Sequence, residues 1–204
     1  MARRARSLKA TAATSLALAV TLGLSACGSE QNDSISKQAQ AGDNKGYVAG
    51  DGSVEELAAA KRAEPVKLTG ETLDGKKWNV ESERGKVVVL NVWGAWCGPC
   101  QAETPHLEKA WKNYDNANKP VVFMGLDQRD SDAVAKSTLK KWGATYPSLK
   151  NDDGQNLQGL QRKVVATPTT LVLDKQGRIA ARVSGSTTET TVRNMVDKVL
   201  AEKA

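Results

Sequence analysis

Two apolar runs and two helix-spaced patterns organise the middle of the chain. Residues 87–92 are apolar except for one asparagine and are too short for a helix, so they predict a central strand covered on both faces. Residues 121–126 predict a second buried strand. Between these strands, apolar residues recur three and four positions apart, at Leu107, Ala110, Trp111 and Tyr114, and predict a helix.

The pattern after the second strand continues with helix, hairpin and helix. Residues 131–142 predict a helix that ends at Gly143, with Val134 on its buried face. Residues 169–173 and 178–183 are joined by a short polar turn and predict an antiparallel hairpin. A last helix is expected to begin at the capping sequence that starts with Ser186.

The part before residue 87 predicts a small hairpin and one short helix. Residues 66–68 and 78–80 flank the turn signal Asp74-Gly75, so they read as two paired strands. Residues 53–56 have the S-x-x-E form of a capping box, which predicts a short helix over residues 53–61. The fold class is therefore α/β, a mixed central sheet flanked by helices with an N-terminal β-hairpin extension.

Most of the net positive charge of the chain lies near its N-terminus. The net charge is +6, and four positive charges (Arg3, Arg4, Arg6 and Lys9) come before the first acidic residue. They precede an apolar stretch over residues 10–24, which is shorter than the roughly 20 residues of a membrane-spanning helix. Residues 1–26 therefore predict a signal peptide for export. With the basic charges assigned to targeting, no nucleic-acid partner is expected.

The sequence around Cys27 indicates a membrane anchor. Leu24-Ser25-Ala26-Cys27 resembles a bacterial lipobox, in which cleavage before the cysteine is followed by attachment of a diacylglycerol to its sulfur. Ordinary cleavage, with Cys27 left as a free thiol, is the alternative. Residues 27–64 then form a lipidated tether containing the short helix, and residues 65–204 form the folded domain.

Cys97 and Cys100 carry the chemistry of the chain. They are spaced C-x-x-C directly after the central strand, with Gly98 and Pro99 between them, and a proline is tolerated in the first turn of a helix. Cys97 then lies at a helix N-terminus, which favours a thiolate. We expect Cys97 to be the more exposed, attacking cysteine and Cys100 to be the resolving one.

Three other uses of the cysteine pair fit less well. A zinc site needs four ligands, but the third cysteine, Cys27, is assigned to lipid and His106 is the only histidine. Covalent haem attachment needs C-x-x-C-H, and Gln101 occupies the histidine position. A purely structural disulfide would close a loop too short to add much stability. Redox chemistry is therefore the preferred interpretation, with no metal or cofactor.

The motif W-C-G-P-C resembles the thioredoxin active site. The longer run N-V-W-G-A-W-C-G-P-C-x-x-E-x-P, over residues 91–105, is similar to the extracytoplasmic, membrane-anchored thioredoxins of the TlpA/ResA type. Thr167-Pro168 before a buried strand and a closing helix extend the resemblance from residue 65 to the C-terminus. The resemblance implies a thioredoxin-like fold.

The same resemblance assigns roles around the cysteines. Pro168 corresponds to the cis-proline that faces the cysteines in thioredoxins, and the Thr167 backbone would pair with an extended substrate strand. A glutamate near a helix start ordinarily complements the helix dipole, but the TlpA/ResA type carries a glutamate at the position of Glu103. Asn91 replaces the buried aspartate of cytoplasmic thioredoxins, so Glu103 would move protons. Trp96, Gly98 and Pro99 would contact substrate.

These assignments predict an exported thiol–disulfide oxidoreductase on the extracytoplasmic face of the bacterial cell membrane. Gly98-Pro99 resembles reducing thioredoxins, so the expected substrates are protein disulfides such as that of apocytochrome c. Electrons would come from a membrane thiol–disulfide donor. A general thiol oxidase or isomerase is the alternative within enzymes, and a non-catalytic lipoprotein binding module is the alternative outside them.

Overall fold

The structure, a computed structural model, describes residues 50–202 and contains two sheets and four α-helices in that range. The strands are β1 (Ser53–Glu56), β2 (Thr69–Glu71), β3 (Lys77–Asn79), β4 (Val87–Trp93), β5 (Val121–Asp127), β6 (Ser148–Leu149), β7 (Thr169–Leu173) and β8 (Ile179–Ser184). The helices are α1 (Gly98–Asn116), α2 (Asp132–Trp142), α3 (Gln155–Gln158) and α4 (Glu189–Ala201). Short 3₁₀ turns occupy Ala59–Lys61 and Val80–Glu83.

The main sheet is mixed and has six strands in the order β1-β8-β7-β4-β5-β6. The strand β4 pairs in parallel with β5 and antiparallel with β7, while β8 runs antiparallel to both β7 and β1. The strands β2 and β3 form a separate antiparallel hairpin. The predicted architecture, a mixed sheet flanked by helices with an N-terminal hairpin, is confirmed, but the strands of the hairpin are residues 69–71 and 77–79 and not 66–68 and 78–80.

The central strand β4 is buried on both faces, as its continuous apolar run predicts. Val87 and Val89 pack with α1 and α4, whereas Val88, Leu90 and Val92 pack in the core on the opposite side. Side chains alternate between the two faces of a strand, so Asn91 lies on the same face as Val87 and Val89. A polar side chain is thereby placed beside α1, the helix that carries the cysteines.

The helix α2 begins and ends where the sequence predicts, but its buried face is different. The Ser131 side chain caps the first turn, and Gly143 ends the helix in the left-handed conformation at φ 77°. Val134, expected to face the core, is 45% exposed, and Ala135 is fully buried in its place. Apolar residues at both positions fit a helical spacing, and only the packing surface chooses between them.

The helix expected over residues 53–61 is wrong. Residues 53–56 form β1, which pairs with β8 over all four positions and extends the main sheet. None of residues 57–60, which follow the capping-box sequence, is fully buried, and Val54 is 49% exposed, so a helix here would have no buried face to stabilise it. The open edge of β8 instead satisfies the backbone of this segment. The sheet thus begins before residue 65, the expected start of the domain.

The last helix also begins later than expected. Thr188 caps α4 by accepting a hydrogen bond from the Thr191 N–H, and Ser186 lies outside the helix. The Ser186 hydroxyl donates instead to the carbonyl of Pro99 at 3.2 Å. The residue expected to cap a helix therefore contacts the segment between the two cysteines.

The expectations for the first part of the chain lie outside the described residues. They are the signal peptide over residues 1–26, the lipid on Cys27, and the tether as far as residue 49. Within residues 50–202, no helix combines the length and apolar character required to span a bilayer.

Candidate active site

Cys97 and Cys100 form a disulfide at the point where β4 passes into α1. The sulfur atoms are 2.04 Å apart, and Cys97 is the N-cap residue of the helix. Pro99 lies in the first turn, where its missing N–H leaves no hydrogen bond unmade. The strand end, the proline and the cap together place the pair at the helix N-terminus.

The two cysteines are equally buried, which contradicts the expectation that Cys97 is the more exposed. Each is 1% exposed, and both pack in a cluster with Leu73, Trp93 and Ala135. Hydrogen bonding distinguishes them, because the Cys100 N–H donates to the Cys97 sulfur at 3.2 Å. An amide directed at the sulfur, at the positive end of a helix, favours the thiolate of Cys97 once the disulfide is reduced.

Glu103 is buried beside the cysteine pair and held by two donors. Its carboxyl group accepts a hydrogen bond from the Asn91 amide at 2.8 Å and another from the Thr187 N–H at 3.0 Å. The Asn91 amide also donates to the Thr170 hydroxyl at 3.2 Å. Two segments distant in the sequence, β4 and the approach to α4, therefore meet at one carboxyl group, and β7 contacts it indirectly through Asn91.

The environment of Glu103 changes its acidity. Only 1% of the residue is exposed, and burial raises the pKa of Glu103 from 4.5 to about 8 although the hydrogen bonds from Asn91 and Thr187 act in the opposite direction. A carboxyl group with this pKa gains and loses its proton in the range in which an ordinary thiol does so. It is therefore suited to exchange a proton with a cysteine.

The Thr167–Pro168 peptide bond is cis, as predicted. Pro168 and Pro99 line the same cavity of about 290 Å³, so the loop before β7 and the cysteine motif lie side by side. No hydrogen bond joins Thr167 to another described residue. Its backbone is therefore available to an added strand.

Part of the lining of this cavity comes from a segment that the sequence analysis missed. Gly50, Asp51 and Gly52 line it together with Gly185 and Ser186. A Cβ atom on Gly50 would lie 2.3 Å from the Gly185 nitrogen, and Gly185 itself has φ +107°, so both glycines permit a close backbone contact. No local pattern indicates that residues 50–52 reach the active site.

The segment before Cys97 is fixed by the loop after β5. The indole N–H of Trp96 donates to the Gln128 carbonyl at 2.9 Å, and the Ala95 N–H donates to the Asp130 carboxylate at 2.6 Å. A Cβ atom on Gly94 would lie 2.5 Å from the Trp96 indole nitrogen, so only glycine leaves room for this ring. No pattern in the sequence predicted that Gln128 and Asp130 would contact this segment.

The remaining predicted residues differ in their surroundings. Gly98 is exposed, whereas Trp96, Pro99 and Thr167 are half-buried around the motif. Cys27 lies outside the described residues. In the range from Gly50 to Glu202, no three His, Cys, Asp or Glu side chains are grouped so that they could hold a metal ion.

Comparison with known proteins identifies relatives with the same chemistry. The model of the AhpC/TSA family matches residues 59–182. The chain is 31% identical over 127 residues to the thiol-disulfide oxidoreductase ResA of Bacillus thuringiensis, which covers 62% of this chain and 71% of that protein. It is 31% identical over 146 residues to the thiol:disulfide interchange protein HelX of Rhodobacter capsulatus, covering 72% and 79% respectively.

Two solved structures share the fold over nearly their whole length. A secreted thiol-disulfide isomerase from Corynebacterium glutamicum superposes with a TM-score of 0.67 at 28% identity, covering 76% of this chain and 97% of that one. A DsbF homologue from Corynebacterium diphtheriae gives 0.62 at 30% identity, covering 74% and 96%. The thioredoxin-like fold is therefore confirmed. The chain belongs to the AhpC/TSA family and is a thioredoxin-like thiol–disulfide oxidoreductase.

Proposed function

We propose that this chain is an exported, membrane-anchored reductase of protein disulfides, with Cys97 as nucleophile, Cys100 as resolving thiol and Glu103 as proton acceptor. The observation that carries the proposal is the pairing of two features in one helix. Cys97 caps α1 and accepts the Cys100 N–H, and Glu103 is buried with a raised pKa one turn beyond Cys100. The first feature favours a thiolate, and the second provides a group that can take up a proton.

The reaction begins with the reduced protein. The Cys97 thiolate attacks one sulfur of the substrate disulfide, so that a mixed disulfide forms and the other substrate sulfur leaves as a thiolate. Cys100 then loses its proton and attacks the Cys97 sulfur, which releases the second substrate sulfur. Two electrons have passed to the substrate, and the protein is left with the Cys97–Cys100 disulfide seen in the structure.

The ionised form of Glu103 supplies the proton acceptor for the second attack, and because burial raises the pKa of Glu103 to about 8, the fraction in this form grows as the pH rises towards 8. The Cys100 thiol is 1% exposed, so water has little access to its proton, and an internal base is required. Asn91 cannot take this role because an amide does not accept a proton at neutral pH. The Asn91 amide and the Thr187 N–H each donate to the carboxyl group and favour its ionised form, so they hold in place the form that accepts the proton.

The substrate enters as an extended segment beside the cysteine motif. The free Thr167 backbone would add the segment as a strand, and Pro99 and Pro168 would contact it in the cavity of about 290 Å³. Gly98 is exposed at the same face and would let a substrate backbone approach closely. Trp96 would border the site next to Cys97.

Reduction is the proposed direction, and apocytochrome c is the proposed substrate class. The Gly98-Pro99 pair resembles reducing thioredoxins, the match to ResA and HelX supports thiol–disulfide interchange, and the fold shared with a secreted Corynebacterium glutamicum protein supports export. The C-x-x-C-H motif of an apocytochrome must be reduced before haem attaches. Electrons would return through a membrane thiol–disulfide donor.

Disulfide isomerisation is the second candidate, and one observation favours it. The Corynebacterium glutamicum protein that shares the fold at a TM-score of 0.67 is named a secreted thiol-disulfide isomerase. An isomerase also uses a nucleophilic cysteine, but it works with a less reducing pair, at about −180 mV against about −270 mV for thioredoxin. The reduction potential therefore separates the two functions.

The test equilibrates the protein with glutathione buffers and measures the potential of the Cys97–Cys100 pair. Under the proposal the potential lies nearer to about −270 mV than to about −180 mV. The reduced protein should also reduce an oxidised peptide that carries C-x-x-C-H faster than a matched peptide in which the histidine is alanine. A potential near or above about −180 mV would make the isomerase or oxidase the better assignment.

A further inference from the structure

The end of β5 and the loop to α2, residues 127–131, hold the segment that leads into Cys97 through hydrogen bonds. The Gln128 N–H donates to the Trp93 carbonyl at 2.9 Å, and the Gln128 carbonyl accepts from the Trp96 indole at 2.9 Å. The Ala95 N–H donates to an Asp130 oxygen at 2.6 Å. The Cys97 N–H in turn donates to the Gly94 carbonyl at 3.1 Å, so these contacts extend to the backbone of the nucleophile.

Asp127 is the last residue of β5, and its buried carboxyl group has no hydrogen-bond partner within residues 50–202. It is paired in register with Trp93 at the end of β5, it is 1% exposed, and neither carboxyl oxygen has a hydrogen-bond partner among the described residues. Its carboxyl group faces that of Asp130. An ionised Asp127 would be a buried charge with no donor and a second carboxylate beside it, an arrangement with a high free energy.

One proton shared between the two carboxyl groups removes both the buried charge on Asp127 and its repulsion with Asp130. A protonated Asp127 donates to Asp130, and Asp130 keeps its charge and accepts from the Ala95 N–H. Such charge-assisted hydrogen bonds are short and strong, which fits the 2.6 Å contact of Asp130 with Ala95. The result is a chain of hydrogen bonds from Asp127 through Asp130 to the segment before Cys97.

The charged groups around Asp127 favour this protonated state. Burial is the largest effect, and Asp130 and Asp132 add negative charge, so that the pKa of Asp127 is raised to about 8 although the Gln128 backbone N–H acts in the opposite direction. Two cations lie in this region but are engaged elsewhere: Lys150 pairs with Asp132 at 3.0 Å, and Arg129 lies over the Trp96 ring at 5.9 Å.

We propose that Asp127 is a positioning residue for thiol–disulfide exchange, which donates its proton to Asp130 and thereby holds Ala95, Trp96 and Cys97 in the reactive geometry. When Asp127 ionises, the two carboxylates repel each other and the Ala95 N–H loses a well-placed acceptor. The exchange rate then falls at alkaline pH, where a growing thiolate fraction would otherwise keep it high. The proposal depends on the oxidoreductase activity and on no particular substrate.

The test compares wild type with Asp127→Asn. Asparagine has the same shape and can donate to Asp130 through its amide, but it has no proton to lose. The reduced proteins are reacted with the small disulfide 5,5′-dithiobis(2-nitrobenzoate) from pH 5 to pH 10. Wild type should slow above pH 8 and become about fivefold slower than Asp127→Asn, the factor expected for one buried hydrogen bond. Glu103 titrates in both proteins, so the difference between them reports on Asp127.

A second measurement follows the segment itself in the oxidised protein, whose cysteines do not titrate. The amide resonance of Ala95 should shift with a midpoint near pH 8 in wild type and stay constant in Asp127→Asn. Asp132→Asn is the matched control, because it removes a neighbouring carboxylate that does not contact Ala95. It should retain the transition at a slightly lower pH.

Two results would overturn the proposal. One is the same rate profile and the same Ala95 titration in wild type and Asp127→Asn. The other needs only the wild-type protein and so holds even if the variant does not fold: a carboxyl carbon resonance of Asp127 that titrates below pH 6 would show that the shared proton is absent at neutral pH.

Discussion

Replacing Glu103 by glutamine should stabilise the oxidised protein at neutral pH. The carboxyl group is 1% exposed, and burial raises its pKa from 4.5 to about 8. Between these two pH values the folded protein holds a proton that the unfolded chain has released. The free energy of unfolding therefore decreases as the pH rises through this window, and the contribution of Glu103 is fully present only below pH 4.5.

The magnitude follows from the width of the window. At pH 7 the pH lies about 2.5 units above the pKa of this carboxyl in the unfolded chain, and each unit corresponds to about 1.4 kcal/mol. Keeping Glu103 protonated in the folded state therefore lowers the stability of wild type by about 3 kcal/mol at pH 7 relative to pH 4. Glutamine has no proton to bind, so its stability lacks this dependence.

The hydrogen bonds around Glu103 can accommodate an amide. The oxygen of the new glutamine accepts from the Thr187 N–H, as a carboxyl oxygen does now. Its NH₂ group donates to the Asn91 oxygen once the Asn91 amide rotates, and the Thr170 hydroxyl then donates to Asn91 instead of accepting. Both contacts of the Glu103 side chain are thus retained, so we expect the loss of the ionisable group to dominate the change.

The assay is urea denaturation of oxidised wild type and Glu103→Gln from pH 4 to pH 9. The advantage of the variant should grow by about 3 kcal/mol between pH 4 and pH 7. Glu108→Gln is the control: burial raises the pKa of Glu108, but hydrogen bonds from Thr145 and Lys112 outweigh burial and lower it. Its contribution is present at neutral pH and lost in acid, so this variant should be destabilised at pH 7.

Parallel stability curves for wild type and Glu103→Gln between pH 4.5 and pH 8 would refute the reasoning. They would mean that Glu103 is already ionised in the folded protein at low pH. The two donors from Asn91 and Thr187 would then outweigh burial, and Glu103 would be too weak a base near neutral pH to hold the proton of the Cys100 thiol.

Three further predictions concern the cysteines and the segment before them. Cys100→Ser should accumulate mixed disulfides with substrates on non-reducing gels while Cys97→Ser should not, because only the first variant keeps the nucleophile; equal trapping by both would reverse the assignment. Gly94→Ala should displace the Trp96 ring, destabilise the protein by about 1–3 kcal/mol and slow exchange, and an unchanged unfolding midpoint and rate would contradict the close contact. Cys27→Ala should abolish labelling by radioactive palmitate, and retained label would exclude the lipobox.

Several elements could be predicted because short-range patterns specify them. The apolar run of β4 is continuous because both of its faces are covered, and the cysteines follow it because α1 starts at the strand end. The helix α2 carries both of its boundary signals, a serine cap and a final glycine. In these cases the residues that decide the structure are adjacent in the chain.

Other expectations failed because a distant partner decides them. Residues 53–56 carry a helix-start signal, but the free edge of β8 pairs with them as a strand. Ser186 carries a capping signal, but it bonds to Pro99. The exposure of Cys97 could not be read from its position at a helix end, because Leu73 and Ala135, from distant segments, pack with the cysteine pair.

The sequence by itself determined the reaction class. The spacing of Cys97 and Cys100, the strand before them and the Thr167-Pro168 pair are local features, and the disulfide and cis peptide bond follow them. The tertiary structure decided the protonation of Glu103 and Asp127. A pKa depends on how much water and which charges surround a carboxyl group, and these are fixed by segments as far apart as β4 and the approach to α4.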